Sequence, residues 1–194
     1  MRQKSLGTAT AAARGIVMSA IVTGTPLHIT LTAGHRLRNG ERIAIAGNAV
    51  DNNTFGEWKV SGVAATDAIL DGSTGTTALS GTPVIAALCD NTPFLSKNAA
   101  VVSVGPVPGA AVTAGVGTAV IEKADGFVST GFTYTNSSGV ATAGFQDALK
   151  SGEIAIPAFA LGGGGLFVEV DLGRYMTFRM STWTSGTFGA SILA

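Results

Sequence analysis

Short segments of alternating apolar and polar residues, each closed by turn-forming residues, constrain this chain more than any other feature. The stretches LHITL, ERIAIA and YMTFRM place apolar side chains at every second position. That period puts the apolar residues on one face of an extended strand. Gly, Asn, Asp or Thr closes most segments within strand length, which is short for a helix. The sequence therefore predicts an all-β protein.

Pairs of turn-forming residues separate several of these predicted strands. Asn39-Gly40 lies between LHITL and ERIAIA, and both residues tolerate the positive φ of a type I′ turn. We therefore expect a hairpin there, with its arginines on the surface. Asp71-Gly72 and Asp125-Gly126 are similar candidates for turns. The one candidate for a helix is Gly144–Gly152, which has room for two turns at most.

Two small β modules preceded by an N-terminal arm are the organisation that we predict. Residues 1–15 show no hydrophobic period and are locally basic, so we expect an extended, flexible basic arm. A β module of barrel-like or hairpin-like repeats covers residues 16–88. A linker follows at 89–99, where proline and polar residues interrupt the pattern. A β-sandwich module covers residues 100–194.

The scarcity of charge bears on which partners the chain can have. Charged residues make up 12% of the sequence and the formal net charge is zero, against about 25% charged residues in ordinary globular domains. A weakly polar surface suits a subunit that is largely covered in an assembly. The few basic residues are too sparse for a nucleic-acid interface. No apolar run approaches the roughly 18 residues of a membrane helix, so we expect no membrane partner.

Residues that could support catalysis or hold a cofactor are few and scattered. The chain has two histidines, His28 and His35, and one cysteine, Cys89. A metal centre needs such ligands clustered at short spacing, and nucleophilic catalysis needs a base beside a nucleophile. Cys89 ends an apolar strand, so we expect a buried, inert thiol. We predict no enzyme, no metal and no cofactor.

A group of residues within Leu27–Val84 resembles a short β-rich repeat found in structural proteins of tailed bacteriophages. That repeat has a histidine before a leucine, a glycine turn, an acidic residue opening an alternating strand, and a Trp-x-Val strand. The matching positions here are His35, Leu37, Asn39-Gly40, Glu41, Ile43, Ile45, Gly47, Asn53, Phe55, Trp58, Val60 and Leu70 to Gly75. Many members of the family have glycine where this chain has Arg36.

The ending GRYMTFRMSTWTSGTFGASILA is similar to the C-terminal strand pair of many phage virion β-sandwiches. The two resemblances cover about half of the chain. They imply a non-enzymatic virion structural protein, and our first expectation is a capsid decoration or cement protein on the capsid exterior, present in the host cytoplasm during assembly. A tail, baseplate or head-to-tail adaptor component is the alternative within the same class.

The expected partners are the major capsid protein or other virion proteins, together with further copies of the chain, for which a trimer is the natural symmetry. The candidate interaction residues are Arg2, Lys4 and Arg14 in the arm and Trp183 near a Thr-Ser-Gly turn. A third hypothesis, from a different class, is a carbohydrate-binding module that stacks sugars on Trp58, Trp183 or Tyr175. For Trp58, a core position beside Val60 is the competing interpretation.

Overall fold

The computed structural model describes most of the chain and is all-β. The described residues are 3–9, 11, 14–46, 54–75, 83–89, 99–107, 117–128, 131–135, 141–143, 146–147, 154–156 and 166–193. Among them there is no helix of the length and apolar character needed to cross a bilayer. The prediction of an all-β fold is confirmed.

Among the described residues before position 90 there are seven strands: β1 (Gln3–Ala9), β2 (Met18–Val22), β3 (Leu27–Leu31), β4 (Arg42–Ala46), β5 (Gly56–Ser61), β6 (Asp67–Leu70) and β7 (Val84–Leu88). The described residues after it form ten more: β8 (Ala99–Pro106), β9 (Gly117–Ala124), β10 (Gly126–Val128), β11 (Gly131–Thr135), β12 (Ala141–Ala143), β13 (Gln146–Asp147), β14 (Ile154–Ile156), β15 (Leu166–Asp171), β16 (Tyr175–Trp183) and β17 (Phe188–Leu193).

A four-stranded antiparallel sheet, in the order β1-β17-β8-β15, packs against the β9-β16 region of a larger sheet. The two layers share one apolar core. It includes Leu6, Val102 and Ile192 from the small sheet and Ile121 and Phe178 from the large one. Alternation along each strand supplies these inward side chains and leaves the other face of the small sheet outward.

The larger sheet joins the two halves of the chain. Its strand order is β13-β9-β16-β7-β4-β5-β6-β3-β2, with β14 paired to β9. The join lies at β7, which pairs with β4 on one side and with β16 on the other. A second core, which includes Ile29, Ile43 and Leu70, belongs to the N-terminal half. The two predicted modules thus share a continuous sheet, and residues 90–98 of the predicted linker lie outside the described residues.

The N-terminal segment is a strand of the fold, which differs from the flexible arm that we predicted for residues 1–15. Residues Gln3–Ala9 pair with β17 from Leu193 to Phe188, and the Leu6 side chain lies in the core with 1% of its surface exposed. Thr8 donates its backbone N–H to the Gly15 carbonyl at 2.9 Å. Backbone pairing, the buried side chains of Leu6 and Ala9 and hydrogen bonds from polar side chains hold this segment in place, and this combination produces no hydrophobic period.

The Asn39-Gly40 turn does not connect a hairpin, so that prediction was wrong. Strand β3 pairs with β2 and β6, whereas β4 pairs with β5 and β7. Gly40 has a φ of +86° and Asn39 does not have a positive φ, which a type I′ turn would require. The Glu41 N–H donates to the Arg38 carbonyl at 3.1 Å, which closes a turn that leads into β4.

The predicted helix at Gly144–Gly152 is also wrong where the structure describes it. Gln146 and Asp147 form β13 and pair with Lys123 and Glu122 of β9. The other residues of that stretch lie outside the described part. Pairing with a neighbouring strand has overridden a weak helical pattern, as tertiary context commonly does.

Candidate interaction surface

The outward face of the four-stranded sheet carries the most exposed large apolar side chain of the described residues, Phe167 at 67%. The pairing of neighbouring strands places two rows of outward-facing residues across the sheet, from β15 through β8 and β17 to β1. The first row is Phe167, Ser103, Ser191 and Ser5, and the second is Glu169, Val101, Leu193 and Gln3. Val101 is 38% exposed. We call these eight residues the outer face.

A cavity of about 370 Å³ lies where the loop after β3 crosses the β1 end of the outer face. Gln3, Ser5 and Ser191 form its floor on the sheet. Arg36, Leu37 and Arg38 form its wall on the loop side. A Cβ placed on Gly189 would lie 3.7 Å from Arg36 Nη1, so the guanidinium reaches over β17. We call this cavity the arginine pocket.

The sequence His35-Arg36-Leu37-Arg38 alternates between buried and exposed side chains within that loop. His35 and Leu37 are 3% and 6% exposed, while both arginines point to solvent. His35 is held by the Ala64 carbonyl oxygen at 2.9 Å from Nε2. Its Nδ1 accepts the Leu37 backbone N–H at 3.0 Å. The histidine thereby holds the loop and turns the two arginines outward.

Two side chains of β1 fasten the loop from the other side. Ser5 donates its hydroxyl to the His35 carbonyl at 3.2 Å, and Thr8 donates its hydroxyl to the Gly34 carbonyl at 2.7 Å. Arg36, the residue that follows His35, has a φ of +55°, which is unusual for a residue with a side chain.

The electrostatics distinguish Arg36 and Arg38 from the other arginines that the structure describes. Arg14 and Arg179 both contact Glu122, at 3.3 and 3.0 Å. A second carboxylate, that of Glu57, contacts Arg42 at 3.3 Å and Arg174 at 2.7 Å. Within the described residues, neither Arg36 nor Arg38 forms an ion pair with an acidic side chain. The arginine pocket therefore presents two guanidinium groups that form no ion pair with a described carboxylate, although the charge of Glu41 acts on Arg38.

Glu41, at the end of the same loop, is the acidic residue closest in sequence to the pocket. Its Oε2 accepts the Arg38 backbone N–H at 3.1 Å. Desolvation by burial raises the pKa of the Glu41 carboxyl above its ordinary value of 4.5. That hydrogen bond and the positive charges of Lys4 and Arg38 oppose the rise without cancelling it.

The predicted interaction residues of the N-terminal segment do not gather on the outer face. Arg2 lies outside the described residues. Lys4 is 5% exposed and points inward, where its Nζ donates to the Leu88 carbonyl. The Arg14 guanidinium forms an ion pair with Glu122. Lys4 and Arg14 thus contribute to the stability of the fold, because alternation directs Lys4 inward and because Glu122 is within reach of Arg14.

The aromatic residues proposed as sugar platforms are packed within the fold. Trp183 lies against the main core and donates its indole N–H to the Gly186 carbonyl at 2.9 Å. Trp58 packs on the N-terminal core and donates to the Thr54 carbonyl at 2.9 Å. Tyr175 is 3% exposed, and its hydroxyl donates to Glu57 Oε1 at 2.6 Å. Tyr175 is therefore buried, and both tryptophans are partly buried against the two cores.

Groups that could perform chemistry are separated from one another in the described part of the chain. No three His, Cys, Asp or Glu side chains there lie close enough together to hold a metal ion. Cys89 is fully buried, as expected. His28 lies on the outer side of its strand and contacts Asp67 at 3.4 Å.

Sequence reasoning missed Phe167 and interpreted Arg36 and Arg38 only as surface residues. One signal was present for Phe167, because LFVEVD places this aromatic residue in phase with Glu169 and Asp171. An aromatic residue on the charged side of a strand is unexpected unless something covers it.

Comparison of the chain with protein-family models, with curated proteins and with solved structures finds no match.

Proposed function

We propose that this chain is a non-enzymatic structural subunit of a tailed-phage virion, which binds a neighbouring virion protein through its outer face. The first choice is a decoration or cement protein on the capsid exterior, with the major capsid protein as partner. The resemblance of the two sequence stretches to virion proteins supports the proposal, as do the all-β fold and the 12% content of charged residues. A homo-oligomer, for which we propose a trimer, suits local symmetry axes of a shell.

The exposed Phe167 is the observation on which the proposal depends. The ring projects from β15, an edge strand that has β8 as its one neighbour among the described strands. Burial of a phenylalanine side chain contributes about 1.5–3 kcal/mol. Such a contact is weak for a single subunit, but many copies on one shell reinforce it through multivalency.

We first assigned the binding role to the basic N-terminal segment, and we now assign it to the outer face. Residues 3–9 already form a strand that lines the arginine pocket with Gln3 and Ser5. The segment therefore supports the surface from within the fold. A subunit with a preformed binding face loses less conformational entropy on docking than one with an arm that must become ordered.

Quantitative mass spectrometry of purified virions of the phage that encodes the chain tests the proposal. We expect a copy number of the same order as that of the major capsid protein. A copy number far lower, in a tail fraction separated from heads, would support the alternative of a tail, baseplate or adaptor component. Absence of the chain from intact particles would contradict both.

A further inference from the structure

We infer that the arginine pocket is a binding site for an acidic polypeptide segment, held by Arg36 and Arg38 through carboxylate contacts. This inference concerns the pocket alone and does not depend on whether the chain belongs to a virion. It rests on three features of the described residues: the two arginines without an ion-pair partner, the polar floor beneath them, and the hydrogen bonds that hold the backbone of the loop.

The charge of the pocket selects an anionic ligand. Arg36 and Arg38 are separated by Leu37. Both arginine side chains are exposed, and both residues line the same cavity. The other described arginines are matched in pairs to Glu122 and Glu57, whereas Arg36 and Arg38 form no ion pair, and Glu41 is the acidic residue of this loop whose charge acts on Arg38. Guanidinium groups bind carboxylates with two parallel hydrogen bonds.

The floor of the pocket offers further hydrogen bonds. Ser5 is already engaged, since it accepts the Gly7 N–H at 3.0 Å and donates to the His35 carbonyl. Ser191 and Gln3 make no side-chain hydrogen bond with another described residue. A serine hydroxyl and a side-chain amide can each serve a peptide backbone as donor or acceptor. The floor can therefore contact the backbone of a ligand while the arginines contact its carboxylates.

Buried neighbours and hydrogen bonds hold the backbone of the loop that carries the arginines. Arg36 occupies the left-handed region, which is strained for a residue with a Cβ. His35 and Leu37 lie on either side of it and are both buried. Strain of this kind persists where the surroundings hold it, and it is concentrated at functional sites. Preorganised side chains lose less entropy when a ligand binds.

The size and composition of the site favour a peptide over a nucleic acid. A volume of about 370 Å³ lies near the lower end of ligand sites. Two arginines on a chain with zero net charge are few for phosphate-backbone binding, which uses many basic contacts. A segment with two or more neighbouring glutamates or aspartates fits these features.

Fluorescence polarisation with fluorescein-labelled hexaglutamate tests this inference on the full chain. We expect saturable binding that weakens as salt is added, because charge-assisted contacts are screened. Arg36→Gln and Arg38→Gln should each weaken binding about tenfold or more. Lys59→Gln is the matched control: it removes one exposed positive charge from β5, and Lys59 does not line the pocket, so it should change the affinity less than about twofold.

Three outcomes would overturn the inference: no binding of hexaglutamate, equal weakening by Lys59→Gln, or tighter binding of a labelled oligothymidylate of the same charge. Urea unfolding of each variant shows whether it is folded, since both arginine side chains are exposed. If Arg36→Gln unfolds, Arg38→Gln decides the result, because Arg38 lies outside the strained conformation. Failure of hexaglutamate binding would not contradict the virion proposal, because that proposal is tested by the copy number in virions and by Phe167.

Discussion

The imidazole of His35 accepts the backbone N–H of Leu37 on Nδ1 at 3.0 Å, and its Nε2 lies 2.9 Å from the Ala64 carbonyl oxygen. This pair of contacts assigns the neutral tautomer with the proton on Nε2, since a carbonyl can only accept. The ring therefore joins the loop after β3 to the residues that precede β6. It holds the two arginines on the outside while it is itself buried.

His35→Ala is expected to lower the free energy of unfolding by about 1–3 kcal/mol, because it leaves a buried donor and acceptor without partners. His28→Ala is the matched control, since the His28 side chain is 42% exposed and makes one long contact with Asp67. Its effect should be below about 1 kcal/mol. Urea unfolding monitored by tryptophan fluorescence measures both. Equal losses would show that His35 does not hold the loop.

Gly7→Ala is expected to destabilise the fold far more than Gly40→Ala. Both glycines have positive φ, +89° and +86°, so both variants carry the strain of a left-handed residue, about 1–2 kcal/mol. Only at Gly7 would the new Cβ also collide with backbone, 2.0 Å from the Gly15 carbonyl oxygen; at Gly40 nothing lies within 4 Å. Thermal unfolding compares them. Similar melting temperatures would argue against the close crossing of β1 over Gly15.

Glu122→Gln is expected to cost about 1–3 kcal/mol, because it removes the charged acceptor of two arginine side chains that are themselves partly exposed. The Glu122 side chain is 8% exposed and contacts Arg14 and Arg179, which would lose their shared counter-charge. Asp171→Asn breaks a 3.7 Å pair with Lys123, in which the aspartate is 72% exposed, and should cost less than about 1 kcal/mol. Chemical unfolding of the two variants provides the comparison. A small loss for Glu122→Gln would contradict the proposed role of Arg14 in stability.

The Glu41 carboxyl should make stability decrease as pH rises. Because burial raises its pKa in the folded state, the folded chain binds this proton more tightly than the unfolded chain does. The resulting stability is fully present below about pH 4.5, the value for the unfolded chain. It is lost as pH rises through the higher folded-state pKa. Glu41→Gln, which keeps an acceptor for the Arg38 N–H, should remove this part of the pH dependence; an unchanged profile would contradict it.

Alternation in the sequence predicted the strands but not their neighbours. Leu27, Ile29 and Leu31 are all buried, as their spacing indicates, yet β3 does not pair with β4. Periodicity determines which side of a strand faces the core, whereas the choice of partner depends on contacts between residues far apart in sequence. The pairing of β1 with β17 is of this kind, since it joins the two ends of the described chain.

The candidate surface was less predictable for the same reason. Ser5 and Ser191 meet on the floor of the arginine pocket through the pairing of β1 with β17, and no local pattern links them. The arginines themselves were visible in the sequence. Their position opposite that floor depends on His35, whose two contacts reach Leu37 and Ala64. A local motif therefore identified the loop but not the surface against which it packs.

The most direct test of the central claim compares the binding of Phe167→Ser and Val22→Ser subunits to phage particles assembled without the chain. Val22 is an apolar side chain of similar exposure, 55% against 67% for Phe167, on the distant strand β2. Sedimentation should show binding about tenfold weaker or more for Phe167→Ser, and wild-type binding for Val22→Ser. Wild-type binding by Phe167→Ser, or equal weakening by both variants, would contradict the claim that the outer face docks on a virion protein.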